Sequence, residues 1–254
     1  MGLNINMWEI VHSLALSRRS VLGGLAATLM PATSSLAGRS RAVPSPETLL
    51  HRDDFTGGLG QWVIEAERGG RFRAEGGVLD IDSPAGVTLW FRHALASPVA
   101  IDYEVMAVSE GGPNDEVSDI NCFWMATDTR APGGDVLAIR RSGAFAGYDE
   151  LRTYYAGIGG NRNTTSRFRR YVGRRDDRPL LPQHDLSAPE HMIAPNRWYR
   201  IRLVADGNRI ELLRDGTPMF RLNDPAPYTR GHFGLRTTKS HLRVRNFRVY
   251  RLPG

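Results

Sequence analysis

The chain has one cysteine in 254 residues, Cys122, so no intrachain disulfide can form. Cys122 sits in the apolar run 120–125 and reads as a small core residue rather than a nucleophile. No Cys/His spacing suits a structural zinc. Lysine is also nearly missing: Lys239 stands alone, and arginine carries almost all the positive charge behind the net +6. The apolar stretch 21–30 is too short to span a bilayer as a mature helix. No segment carries a convincing 3.6-residue apolar period, which argues against a helical protein.

What is present points to strands. Glycine (27) and proline (15) punctuate short apolar runs, the pattern of many strands joined by turns. A hydrophobic fraction of 41% supports a real core, and 24% charged residues exclude a disordered chain. In residues 99–108, Ile101, Tyr103, Val105 and Ala107 share one face; in 198–205, Tyr199, Ile201 and Leu203 do the same. Asp206-Gly207 and Asp215-Gly216 between β runs read as hairpin turns. Residues 127–150 have no period, and 173–196 read as a long loop. The economical architecture is all-β, a two-sheet antiparallel β-sandwich of roughly a dozen strands.

The N-terminus reads as an address. Ser17-Arg18-Arg19-Ser20-Val21-Leu22 resembles a twin-arginine export motif, and Ser35-Leu36-Ala37 is a plausible cleavage site. The expected division is a signal peptide at 1–37, a flexible lead-in at 38–48 and one jelly-roll domain at 49–254. The expected location is periplasmic or secreted, with no membrane anchor after cleavage. Losing 1–37 removes two arginines and one glutamate, so the mature chain stays basic. That bias fits codon usage and a solvated surface, and it also fits an acidic ligand, because the guanidinium fork matches carboxylates, sulfates and phosphates. Nucleic acid is not an expected partner: export argues against it, and the dense basic run 167–175 is only one turn or strand long.

The C-terminal pattern Asn196-x-Trp198-Tyr199-x-Ile201-x-Leu203, Asp215-Gly216, Gly231-x-Phe233-Gly234-Leu235-Arg236 and Asn246-Phe247-x-Val249 resembles the closing strands of the concanavalin A-like lectin/glucanase superfamily. Asp53-Asp54-Phe55 before a Gly-rich turn and Trp62 matches its opening, so the resemblance covers about residues 50–252. Within it, Ser118-Asp119-x-Asn121-x-Phe123-Trp124, Tyr154-Tyr155-x-Gly157-x-Gly159-Gly160-Asn161-x-Asn163-Thr164-Thr165 and Arg167-Phe168-Arg169-Arg170-Tyr171 are similar to the YesU-like group of uncharacterised bacterial proteins. Those resemble jelly-roll polysaccharide lyases and glucanases. The resemblance implies a concanavalin A-like jelly roll that works on carbohydrate. The Glu-x-Asp-x-x-Glu nucleophile motif of the related retaining glucanases is missing here, which counts against a two-carboxylate hydrolase.

Residue chemistry then gives a candidate site. Alternation places Asp119, Asn121 and Phe123 opposite the core set Ile120, Cys122 and Trp124. The run 154–171 offers Tyr154, Tyr155, Asn161, Asn163, Thr164, Arg167 and Arg169, suited to stacking on sugars and to binding hydroxyls and uronate carboxylates. His241 is a candidate acid or base. The expected function is an exported polysaccharide lyase cleaving an acidic, uronate-containing polysaccharide by β-elimination; the alternatives are a non-catalytic carbohydrate-binding protein and a glycoside hydrolase of the same fold. Tyr155, His241 and Asn121 are the catalytic candidates. Asp119, Tyr154, Asn161, Asn163, Thr164, Arg167 and Arg169 are the substrate-binding candidates. The expected partner is an acidic polysaccharide or oligosaccharide, with no metal and no cofactor.

Overall fold

A computed structural model describes residues 46–253. The expected signal peptide lies outside the described residues. In chain order the strands are β1 (Thr48–Asp53), β2 (Trp62–Ala66), β3 (Arg71–Glu75), β4 (Val78–Ser83), β5 (Val87–Phe91), β6 (Leu95–Ala96), β7 (Val99–Ala107), β8 (Asn121–Asp128), β9 (Leu151–Gly159), β10 (Thr165–Val172), β11 (Leu180–Leu186), β12 (Tyr199–Asp206), β13 (Arg209–Arg214), β14 (Thr217–Asn223), β15 (Arg230–Thr237) and β16 (Ser240–Arg251). They form two antiparallel eight-stranded sheets. Sheet A runs β14-β13-β12-β7-β16-β4-β3, with β1 also on β16. Sheet B runs β11-β10-β9-β8-β15-β5-β2, with β6 also on β15.

Period-two alternation decides what lies between the sheets. Ile101, Tyr103, Val105 and Ala107 of β7 and Leu242 and Val244 of β16 meet Cys122 and Trp124 of β8 and Tyr154 and Ala156 of β9 in one core. Burial pushes the Cys122 thiol up to about 12, leaving it an inert core group.

Sheet B differs from an ordinary half-exposed antiparallel sheet because its outer face is buried as well. Trp90, Phe123, Tyr148, Tyr155 and Tyr171 form a second apolar cluster there. The cover is the segment 129–150, which has no sequence period and forms three short 3-10 turns, at Pro132–Gly134, Val136–Ala138 and Phe145–Tyr148. Arg141 fixes it. Its guanidinium is almost fully buried between Glu65 (3.0 Å) and Asp128. Glu65 also accepts from Trp90 Nε1 and the Tyr148 hydroxyl, both at 2.9 Å. Burial alone would raise the Asp128 pKa; hydrogen bonds from Arg130 and Arg141 hold it below the usual range.

The long loop expected at 173–196 is corrected by β11, which pairs with β10 at the edge of sheet B with a register shift between Arg167 and Arg169. Pro182 interrupts its sequence signal, and an edge strand is where proline is tolerated. Among the described residues no helix is long and apolar enough to cross a membrane.

Candidate functional site on the outer face of sheet B

The register of sheet B sets two rows of side chains across its outer face. One row runs Glu65, Thr88, Arg236, Asn121 and then Gly157, Arg167 and Asp185. The next runs Trp90, Gly234, Phe123, Tyr155 and Arg169. Gly157 is the gap in the first row. A Cβ there would lie 2.9 Å from the Tyr155 hydroxyl, so the phenol leans over the glycine into the space between Asn121 and Arg167.

This places Tyr155 in a groove of about 490 Å³ whose lining includes Asp119, Asn121, Asn161, Thr165, Arg167 and Arg169 together with Phe145, Asp176, Arg178 and Thr238. The Tyr155 hydroxyl has no hydrogen-bond partner among the described residues. Burial raises its pKa well above the ordinary phenol value, Tyr171 and Asp119 add to this, and the nearby Arg236 guanidinium opposes it. Asp119 adopts a left-handed backbone (φ 59°) and accepts from Asn121 Nδ2 (2.9 Å) and Thr238 Oγ1 (2.8 Å), which fixes the Asn121 amide.

The arginines differ in what neutralises them. Arg167 is paired with Asp185 at 2.7 Å. Arg169 has no carboxylate within 4 Å among the described residues, and its guanidinium donates to the carbonyl of Arg178. Burial lowers its pKa from the usual arginine value, the expected sign for a partly desolvated cation. The groove therefore holds one guanidinium, that of Arg169, without an ion-pair partner among the described residues, beside a free hydroxyl; the carboxylates of Asp119 and Asp176 also line it.

One end of the groove is a strained turn. Asn161, Arg162 and Asn163 follow one another in the left-handed region (φ 53°, 57° and 60°) after Gly159 (φ 67°). Asparagine tolerates that region better than arginine does. The turn is held from outside: the Asn163 amide bonds both backbone groups of Ile193 (2.7 and 2.9 Å), and Ser166 Oγ donates to His191 (2.8 Å).

Of the ten candidates, Tyr155, Asn121, Asp119, Asn161, Arg167 and Arg169 come together in the groove. Four do not line it. Tyr154 is in the core, its hydroxyl bonded to Asp224 (2.7 Å), because neighbouring strand residues face opposite ways. Asn163 is occupied by the Ile193 backbone, and Thr164 Oγ1 donates to the Asn161 carbonyl at the exposed turn. His241 lies on β16 in sheet A, held between Asp80 (2.9 Å) and Asp115 (3.0 Å), on the far side of the sandwich from Tyr155. Both of its ring nitrogens face carboxylates, a structural clamp. The sequence reading missed Phe145 and Arg178, which irregular segments deliver; its only signal for Phe145 was an aromatic residue in a Gly-rich stretch.

The fold and groove define a concanavalin A/galectin-like jelly roll with a polar pocket on one outer sheet face. The chain belongs to the family described as "Domain of unknown function (DUF6250)", whose model matches residues 81–247. Among solved structures, a protein of unknown function with a galectin-like fold from Bacillus subtilis is similar at a TM-score of 0.64, with 16% identity over 83% of this chain and 99% of that one. Porphyranase B from Zobellia galactanivorans gives 0.53, with 11% identity over 82% and 94%. The Emp46p carbohydrate recognition domain, in metal-free form, gives 0.52, with 14% identity over 81% and 94%. Identities this low establish a shared fold. No curated protein matches the chain.

Proposed function

We propose that the chain is a carbohydrate-active protein whose substrate site is the Tyr155 groove, and that it cleaves an acidic, uronate-containing polysaccharide by β-elimination. The observation that carries this is the pairing of Tyr155 with Arg169. The two are direct cross-strand neighbours, one offering an unbonded hydroxyl and the other a guanidinium with no carboxylate partner among the described residues. The fold adds support, since the similar structures include a porphyranase and a carbohydrate recognition domain.

The roles follow from the chemistry. A uronate carboxylate held by Arg169 loses its charge repulsion, and the proton on the adjacent carbon becomes acidic. The Tyr155 oxygen, as phenolate, takes that proton. The electron pair left behind forms the new carbon–carbon double bond as the bond to the glycosidic oxygen breaks. The same phenol then returns the proton to that leaving oxygen, so the catalyst is regenerated. Burial works against the phenolate; the Arg236 guanidinium works for it, and Arg169 is its cross-strand neighbour. Asn121, Asp119 and Asn161 supply hydrogen bonds to sugar hydroxyls. We infer that the protein reaches this substrate after twin-arginine export.

A binding-only reading has one observation in its favour, the burial that keeps Tyr155 a phenol. The deciding experiment incubates the mature protein with a panel of acidic polysaccharides and follows near-ultraviolet absorbance of unsaturated uronide together with reducing ends. Rising absorbance on one member is the expected result. Reducing ends without absorbance would mean hydrolysis. Silence on both, with retention on a polysaccharide gel, would make the protein a binding module.

A further inference from the structure

Part of the groove lining is made by two irregular connections. Segment 129–150 brings Phe145 and the connection 173–179 brings Arg178. The Arg178 guanidinium lies over the Phe145 ring, 4.9 Å from its centre. Asp149, buried at the base, ties the connections together: it accepts from the backbone N–H of Asp176 (3.3 Å) and faces Arg178 Nε at 3.5 Å. The carbonyl of Arg178 in turn receives the Arg169 guanidinium.

Two cations therefore share one wall, linked through a single backbone carbonyl. Arg169 has no carboxylate partner among the described residues, and the Arg178–Asp149 approach of 3.5 Å is long beside the 2.7 Å of Arg245–Glu104 on sheet A. The Arg178 side chain is 30% exposed, within reach of a ligand. Adjacent like charges in a partly desolvated wall repel, and a planar oxyanion between them replaces that repulsion with charge-assisted hydrogen bonds.

We propose that Arg178 is a specificity-determining residue: with Arg169 it forms a two-guanidinium clamp for the substrate carboxylate, and Phe145 and Asp149 position it. This rests on the function proposed above. Neither segment carries a period or motif that marks the pair.

The test compares wild type, Arg178→Gln and Arg178→Lys on polygalacturonate and alginate, each native and esterified, by turnover and by gel retention. Esterification removes the charge the clamp reads. Charge-assisted bonds of about 1.5–3 kcal/mol correspond to a wild-type preference for the native polymer of about 10- to 100-fold. Arg178→Gln should lose most of that preference through KM, leaving the esterified polymer handled as before, and Arg178→Lys should keep an intermediate share. An unchanged native-to-ester ratio in Arg178→Gln overturns the clamp. Equal loss on both polymers also overturns it, assigning Arg178 a structural role. If wild type neither turns over nor retains any acidic polymer, the function itself is wrong and the clamp falls with it.

Discussion

The two outward faces of the sandwich use the same residue types to different ends. On sheet A several arginines are matched by carboxylates, Arg245 with Glu104 (2.7 Å), Arg243 with Glu110 (2.8 Å), Arg202 with Asp102 (2.9 Å) and Arg209 with Asp206 (2.7 Å), while Arg73, Arg200 and Arg248, which have no such partner among the described residues, are exposed to solvent. His241 is locked into the same lattice. These pairs are partly exposed and individually weak. On sheet B, Arg141 is buried between two carboxylates to hold a cover over aromatic side chains, while Arg169 and Arg178 face a groove with little or no compensation. An arginine already closed on a carboxylate offers an anion little; Arg169, with no carboxylate within 4 Å among the described residues, and Arg178, whose partner Asp149 stands at 3.5 Å, offer more. Total charge would not separate the faces; pairing and burial together set Arg169 and Arg178, which are half-buried, apart from Arg73, Arg200 and Arg248 of sheet A, which are exposed.

The sharpest way to break this contrast is at Tyr155. Tyr155→Phe should lower kcat by about 10²- to 10⁴-fold while binding of the polysaccharide changes little. Equal loss of binding and turnover would remove Tyr155 from catalysis. Next comes the cover. Arg141→Met leaves Glu65 buried without its cation and Asp128 with Arg130 alone, and should cost about 3–5 kcal/mol, read as a fall in the denaturation midpoint. A midpoint close to wild type would show that the apolar cluster alone holds segment 129–150.

Gly157→Ala places a methyl 2.9 Å from the Tyr155 hydroxyl and should displace the phenol, lowering kcat by roughly tenfold or more with the fold retained. The pH profile sharpens the role of the same group. With its pKa raised, the phenolate is a small fraction at neutral pH and grows about tenfold per unit, so kcat/KM should climb with pH between 7 and 9. A flat profile would leave Tyr155 the acid alone. The smallest effect is expected on sheet A, where Arg245→Gln should shift stability by about 0–1 kcal/mol and leave turnover unchanged. A loss of binding there would erase the distinction between the faces.

The sandwich was legible because alternation names the core: Ile101, Tyr103 and Val105 share a face in sequence and in space. The site was half legible for the same reason. Asn121, Tyr155, Arg167 and Arg169 keep period-two spacing on strands, Asp119 lies just before β8, and they do meet. Tyr154 and Tyr155 were indistinguishable because both faces of sheet B are buried, so alternation separates the faces without saying which is core. Period-two spacing puts His241 on one strand face with Arg243, but which sheet carries that strand depends on long-range pairing. Segment 129–150 owes its position to the link between Arg141 and Glu65, 76 residues apart, which no local pattern records.

The most direct measurement is a crystal structure of the Tyr155→Phe protein soaked with an acidic oligosaccharide cut from whichever polymer the panel identifies. Density for the sugar along the outer face of sheet B, with its carboxylate on Arg169 and Arg178 and a ring beside position 155, is the expected result. Density on the paired arginines of sheet A, with the groove around position 155 unchanged, would contradict it.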